Sequence, residues 1–130
     1  MNKYIFETIK NYIPELTDGS ITHVYPFTVP EGTIVESAVT YNLLNSPQTF
    51  GKVTARYQLT CFSKTASKAQ EIATKLQGLF AHKIFATVGD PLATNSGSVI
   101  GFPYDRESGY FMFAVDITIN TQKELSNYLQ

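Results

Sequence analysis

Residues 53–61 alternate between apolar and polar side chains, and this alternation is the feature that most constrains the fold. The apolar positions are Val53, Ala55, Tyr57, Leu59 and Cys61. A repeat of two residues is typical of a β-strand with one buried face. We therefore predict a strand here whose odd-numbered residues face the core.

A helical pattern follows this strand almost at once. Its apolar stripe consists of Ala66, Ala69, Ile72, Ala73, Leu76, Leu79 and Phe80 and extends toward Lys83. The spacing predicts a helix over residues 66–82, with Ser63 or Thr65 as its N-cap. Glu71 precedes Lys75 by four residues, which predicts an ion pair on the exposed side. Small alanines on the buried side predict that this helix lies close across the strands.

An amphipathic stripe also begins the chain. Its members are Ile5, Ile9, Tyr12, Ile13 and Leu16, and they predict a helix over residues 3–16. Pro14 disfavours a helical conformation at the residue before it, so the last turn of this helix is expected to be irregular. Asp18 and Gly19 then predict a turn.

Four further segments are rich in β-branched and aromatic residues and predict strands: 21–27, 33–41, 99–104 and 110–119. A turn around Gly32 should join the first two strands. Pro26 and Pro30 cannot donate a backbone hydrogen bond, so the first strand is expected at a sheet edge. The last two strands flank a five-residue loop at 105–109 and predict a hairpin.

Two segments rich in turn-forming residues, 42–51 and 86–98, are predicted to be exposed loops. We expect them to contact neighbouring subunits or partner proteins. The residues assigned to this interface are Asn45, Pro47, Gln48, Phe50, Asp90, Leu92 and Asn95.

The order of elements is helix, strands, helix, strands, and its connections suit hairpins. This order predicts an α+β fold with a single antiparallel sheet and helices packed on one face. A chain of 130 residues suits one domain, covering residues 1–130. Residues after 122 are expected to form a short helix or a loose tail.

Composition narrows the classes of function. Charged residues make up only 16% of the chain and the formal net charge is -1, so no basic field is present to attract nucleic acid. The first residues lack the apolar stretch of a signal peptide, and no run of about 20 apolar residues predicts a membrane span. A single cysteine fits a reducing cytoplasm.

No cluster of residues predicts catalysis, a cofactor or a metal site. His23 and His82 are the only histidines, and neither has a second ligand at metal-binding spacing. Cys61 belongs to the apolar side of its strand and is expected to be a buried thiol. Asp105 and Glu107 lie beside Arg106 in a tight loop, where charged residues are usually solvated. The prediction is therefore of a protein that is not an enzyme.

Residues 54–73 combine an alternating strand that begins with an arginine, a Ser/Thr turn and a helix with spaced alanines. This segment resembles the central signature of the small tail-completion proteins of long-tailed bacteriophages, the tail terminators and head-tail joining proteins. Residues 104–110 and 113–117 are similar to the closing hairpin of that family. The resemblance covers residues 34–119, while residues 24–32 and 86–98 depart from the family pattern.

The resemblance implies a ring, typically of six subunits, that caps the tail tube, stops its growth and presents a surface to the head. The implied partners are other copies of the chain, the tail tube protein and a head-completion protein. The implied location is the virion, after assembly in the cytoplasm of the host bacterium.

Two other functions remain open from the residues alone. The chain could be a monomeric module that binds a peptide or small molecule in an apolar pocket of about 300 Å³ between the second helix and the sheet. It could instead be a small hydrolase that uses Asp105, Glu107 or a histidine.

Overall fold

The computed structural model describes residues 2–18, 21–27, 29, 36–45, 48–49, 52–81, 83–87 and 90–121. They form an α+β fold, as predicted. The helices are α1 (Asn2–Tyr12), a 3-10 helix (Pro14–Leu16) and α2 (Ala66–Phe80). The strands are β1 (Thr17–Asp18), β2 (Ile21–Thr22), β3 (Val24–Pro26), β4 (Ser37–Asn45), β5 (Gln48–Thr49), β6 (Lys52–Ser63), β7 (Lys83–Thr87), β8 (Asp90–Gly101) and β9 (Phe111–Thr121).

Seven of these strands form one sheet in the order β3-β4-β6-β9-β8-β7, with β5 also paired to β6. The sheet is mixed, so the prediction of a purely antiparallel sheet was wrong. The exception is β3, which runs parallel to β4 with Val24 opposite Val39. Periodicity reports which residues are buried but not the direction of a strand, so the sequence pattern did not reveal this pairing. The prediction that the first strand lies at a sheet edge was correct.

Both helices pack on one face of the sheet, which we call the inner face. The odd-numbered residues of β6 from Ala55 to Ser63 point to it and are buried, as the alternation predicted, and so are Val115, Ile117 and Ile119 of β9. The core cluster joins the two helices to the central strands. It includes Ile5, Ile9, Ile13, Val39, Tyr57, Leu59, Cys61, Ile72, Leu76, Phe80, Val115, Ile117 and Ile119.

The first helix ends earlier than predicted. Ile13 still donates its backbone N–H to Ile9 O at 2.9 Å, but its own φ of -129° and ψ of 74° are not helical, and the 3-10 helix begins at Pro14. Proline imposes an extended conformation on the residue before it, which accounts for the break. Leu16 O then accepts the N–H of His23 at 2.8 Å, which ties this corner to the beginning of β3.

The second helix confirms its prediction closely, although it ends at Phe80 rather than 82. Thr65 is the N-cap residue with extended backbone, and its N–H is donated to Ser63 Oγ at 3.4 Å. The predicted pair of Glu71 and Lys75 has an N–O distance of 3.5 Å.

Both predicted loops are largely strand. Residues 42–45 continue β4, and β5 occupies Gln48–Thr49. Residues 86–87 belong to β7 and residues 90–98 to β8, so the described part of the second segment is a β-hairpin. Turn-forming residues such as Asn, Ser and Thr are tolerated on a strand whose side chains face solvent, and this misled the prediction.

The closing hairpin is confirmed. Strands β8 and β9 pair antiparallel and flank a turn in which Asp105 and Tyr110 form a β-bridge. The register shifts by one residue between Ser96 and Val99, which marks a β-bulge.

Residues 33–35, predicted as strand, and the predicted tail after 122 lie outside the described residues.

Candidate interaction surface

The second face of the sheet, here the outer face, is not covered by a helix within the described ranges. Its side chains come from the even-numbered residues of β6 and β9 and from their neighbours in register. Polarity changes along the strands. Polar residues occupy one end, and they are Thr54, Arg56, Gln58, Asp116, Thr118 and Asn120.

The opposite end of the outer face carries an apolar group that we call the apolar patch. It consists of Phe62, Ile100, Phe102, Tyr110 and Met112. Met112 lies opposite Phe62 in the β6–β9 ladder, and the Phe102 N–H is donated to Met112 O at 3.0 Å. The exposed fractions of Ile100 and Phe102 are 54% and 42%. Apolar side chains clustered at this exposure are typical of protein contacts.

Aromatic contacts hold part of the patch in place. The rings of Phe62 and Tyr110 meet edge to face with centroids 6.4 Å apart. Next to the patch, the rings of Tyr104 and Phe111 are 4.6 Å apart and tilted by 44°. Such pairs restrict ring motion, so these side chains lose little conformational freedom on binding a partner.

The hairpin turn beside the patch is stabilised by hydrogen bonds to Asp105. Asp105 O accepts the N–H of Gly109 at 2.8 Å, and Asp105 Oδ1 accepts the N–H of Glu107 at 3.1 Å. Hydrogen bonds from the Ser108 side chain and the Glu107 backbone lower the pKa of Asp105. Gly109 has φ +78°, a conformation that favours glycine. Asp105 is therefore an ionised, partly exposed group that stabilises a turn.

The parallel edge of the sheet holds a second exposed aromatic residue. Phe27 has φ +66° and its side chain is 67% exposed. Its N–H is donated to Tyr41 O at 3.1 Å. The side-chain amide of Asn42, oriented with its nitrogen toward these carbonyls, donates to Tyr41 O at 3.1 Å and to Phe27 O at 3.3 Å. Nearby, His23 Nδ1 lies 2.7 Å from the Tyr25 hydroxyl.

Two of the predicted interface residues are brought into one row across the sheet. Asn45 lies opposite Arg56, Arg56 opposite Thr118, and Thr118 opposite Asn95. With strands about 4.8 Å apart, the two asparagines are separated by roughly 14 Å along this row. Both are exposed.

The other predicted interface residues are scattered. Gln48 lies on β5 opposite Val53, and Asp90 and Leu92 lie on β8 opposite Thr87 and Phe85. Pro47 and Phe50 lie outside the described residues. The apolar patch was missed, although the run Phe111-Met112-Phe113 carried a signal for it. A strand that is apolar at consecutive positions is expected to contact protein on both faces.

The groups considered for chemistry are separated or buried. Cys61 is fully buried, and burial raises the pKa of its thiol to about 12. Burial also raises the pKa values of Tyr41 and Tyr57. Within the described ranges, no three His, Cys, Asp or Glu residues are grouped so that they could hold a metal ion. His82 lies outside those ranges.

The face of α2 that points away from the sheet carries an ionic cluster and a shallow depression. Lys68 and Lys75 contact Glu15 at 3.1 Å and 3.2 Å, and both also contact Glu71. The depression has a volume of about 390 Å³ and is lined by Ser67, Gln70, Glu71, Thr74 and Lys75. It is open to solvent, unlike the enclosed apolar pocket that a ligand-binding module would need.

Comparison with known proteins adds no family assignment. No protein-family model and no curated protein sequence matches the chain. Within the described residues, neither helix has the length and apolar character needed to cross a membrane.

Proposed function

We propose that this chain is a tail-completion protein of a long-tailed bacteriophage. In this role it forms a ring, expected to contain six copies, that caps the tail tube and joins it to the head. Its partners are the tail tube protein and a head-completion protein. It acts in the host cytoplasm during assembly and remains in the virion.

The observation that carries this proposal is the apolar patch on the outer face, which no helix of the described part of the chain covers. Ile100 and Phe102 are too exposed to serve the core. Ile100 lies on the paired strand β8, and Phe102, directly after it, is held by its backbone hydrogen bond to Met112 O. A structural subunit needs such preformed contact surfaces, because ordering flexible groups on assembly costs free energy. Contacts between different surfaces of identical subunits form a closed ring when the rotation from one subunit to the next divides a full turn evenly.

Two further features support the proposal. The strand β6 and the helix α2 contain residues 54–73, which resemble the tail-completion signature. In addition, the packed contact of α2 with the sheet favours an architectural role over a ligand-binding module. The buried residues of this helix, all with 0% exposure, are Ala69, Ile72, Ala73, Leu76 and Phe80.

Electron microscopy of the purified protein mixed with its tail tube protein tests the proposal. We expect rings at the ends of tubes, and tubes of uncontrolled length when the protein is omitted. Phe102→Ser should weaken ring formation because it removes an exposed aromatic side chain from the patch. Asn120→Ser, at the polar end of the same face, is the matched control and should form rings normally.

Gene deletion gives a second test. A phage that lacks this gene should produce heads and tails that do not join, and the wild-type gene supplied from a plasmid should restore infectious particles. Normal joined virions in the deletion strain would contradict the proposal. A strictly monomeric protein that retains a small molecule on purification would favour the ligand-binding module instead.

A further inference from the structure

Part of the strand β8 is an unpaired sheet edge. Its partner β7 pairs with it only from Asp90 to Thr94. Beyond Thr94, β8 pairs with β9 on one side, and on its other side no strand within the described ranges pairs with it. Unpaired strand edges present backbone groups that can pair with another chain.

Side chains form hydrogen bonds with the first part of this edge, residues 95–97. Asn95 Oδ1 accepts the Ser96 N–H at 2.9 Å, and Ser96 Oγ donates to Gln77 O at 2.8 Å. Gln77 Nε2 in turn donates to Gly97 O at 2.9 Å. The end of α2 therefore occupies the edge as far as Gly97.

After the β-bulge, no residue of the described ranges pairs with this edge. Because the Phe102 N–H is donated to Met112 O, Phe102 and Ile100 exchange their backbone hydrogen bonds with β9. In an antiparallel pair, alternate residues bond to the partner strand and those between them point away. Val99 and Gly101 therefore direct their N–H and C=O groups outward.

The opposite edge of the sheet differs in one respect. On β3, His23 O accepts the Val39 N–H at 3.0 Å and the Phe27 N–H is donated to β4, so Val24 and Pro26 point outward. Proline has no N–H and is a common protection of edge strands. On the β8 edge neither a proline nor a charged residue occurs from Val99 to Phe102, and the first proline is Pro103.

We propose that the β8 edges of two copies of this chain pair antiparallel about a two-fold axis at Ile100. In this register Val99 of each copy exchanges both backbone hydrogen bonds with Gly101 of the other. The two Ile100 residues face each other in a non-hydrogen-bonded pair on the outer face. The two sheets thereby become one continuous sheet.

Self-pairing suits this edge better than pairing with the β3 edge of another copy. The outward groups of Val99 and Gly101 are symmetric about Ile100, so two copies satisfy them mutually, whereas Pro26 would leave a carbonyl without a donor. At the next pair, Pro103 has no N–H for Gly97 O, but that oxygen already accepts from Gln77 Nε2. Gly101 has no side chain that could collide with Val99. Pairing also covers Ile100, which is 54% exposed in the single chain.

This contact goes beyond the proposed function. A two-fold contact joins identical surfaces, whereas a closed ring of six needs contacts between different surfaces. The contact is measured on the isolated protein, without tail tube protein. Dimers without rings would contradict only the proposed function, and rings without the Ile100 contact would contradict only the pairing of the β8 edges.

Cysteine cross-linking tests the register. Cα atoms of a non-hydrogen-bonded pair are about 4.5 Å apart, which is within the range that a disulfide spans. We expect Ile100→Cys to give a covalent dimer under mild oxidation. Leu44→Cys, on β4 and 49% exposed, is the matched control and should remain largely monomeric. The native Cys61 is buried and should contribute no background.

Sedimentation velocity from about 1 μM to 1 mM tests the affinity. We expect a concentration-dependent dimer that Ile100→Lys weakens at least about tenfold, because edge lysines oppose strand pairing. Leu44→Lys should leave the dimer unchanged, and circular dichroism should show both variants folded. A monomer at every concentration, a dimer insensitive to Ile100→Lys, or equal cross-linking of both cysteine variants would overturn the proposal.

Discussion

The ring of Phe113 lies directly over the backbone of Gly101. A Cβ atom added at Gly101 would be 2.9 Å from Phe113 Cε1, which is closer than real Cβ contacts. We expect Gly101→Ala to lower the free energy of unfolding by about 1–3 kcal/mol, because the ring must leave its position against the core. Urea denaturation measures this change.

Gly78 on α2 provides a control for this experiment, because an added Cβ is expected to have the opposite effect there. No atom lies within 4 Å of a Cβ placed there. Gly78→Ala should raise the free energy of unfolding by about 0.5–1 kcal/mol, since alanine favours the helix. If both substitutions had the same sign, the packing of Phe113 against Gly101 would not be the cause.

The ion pairs of Glu15 should contribute modestly to stability. Burial raises the pKa of Glu15, but hydrogen bonds and charges from Lys68 and Lys75 outweigh it, so the net shift is downward. Because the cluster is exposed to solvent, we expect Glu15→Gln to cost only about 0.5 kcal/mol in low salt. The measurement is the free energy of unfolding at neutral pH.

The pH dependence of that cost follows from the direction of the shift. A carboxylate whose pKa is lowered by folding stabilises the protein above its unfolded pKa, and this contribution disappears as the pH falls through the folded value. The difference between wild type and Glu15→Gln should therefore vanish in acid and shrink in about 1 M salt. Glu7→Gln, an exposed change on α1 outside this ion-pair cluster, is the matched control for the loss of a carboxylate.

The thiol of Cys61 should react slowly in the folded protein. Its pKa is raised to about 12 by burial, so little thiolate is present at pH 8, and the side chain has no access to reagent. We expect alkylation at least about 100-fold slower than in urea-unfolded protein. Labelling followed by mass spectrometry measures the rate, and rapid labelling in buffer would show that Cys61 is accessible.

The same shift affects stability in alkali. A thiol whose pKa is raised by folding stabilises the folded state below its unfolded pKa, near 8.5, and loses this contribution as the pH rises toward 12. Cys61→Ala should therefore lose less stability than wild type between pH 8.5 and about 10.

Phe27 should be a site where substitution stabilises the chain. Its left-handed backbone is unfavourable for an aromatic residue, and asparagine is tolerated better there. Because the side chain is largely exposed, we expect Phe27→Asn to raise the free energy of unfolding by about 0.5–1 kcal/mol. Thermal denaturation measures it, and a lower midpoint would mean that the ring makes contacts that its exposure does not suggest.

Strand β6 and helix α2 could be predicted because their apolar residues recur at clear periods of two and of 3–4 residues. Each period follows from one buried face, so local sequence was sufficient. The N-cap, expected at Ser63 or Thr65 and found at Thr65, and the pair of Glu71 and Lys75 were also local features. These elements form the centre of the fold.

The remaining features depend on contacts between residues that are distant in the sequence. The parallel direction of β3 depends on its partner β4, which local periodicity does not encode. The polar residues of β8 resembled a loop because its outer side chains face solvent. The apolar patch depends on the register that brings Phe62, Ile100 and Met112 together, and no single segment contains all three.

The longest ladder of the sheet has a consequence for the rate of folding. Strands β6 and β9 pair without interruption from Val53 opposite Thr121 to Ser63 opposite Phe111, so the paired residues are 48 to 68 positions apart in the chain. Closing such a long loop costs entropy before any of its contacts form. Helix α2 can form early, whereas the two central strands must find each other late, so the chain should fold in milliseconds to seconds.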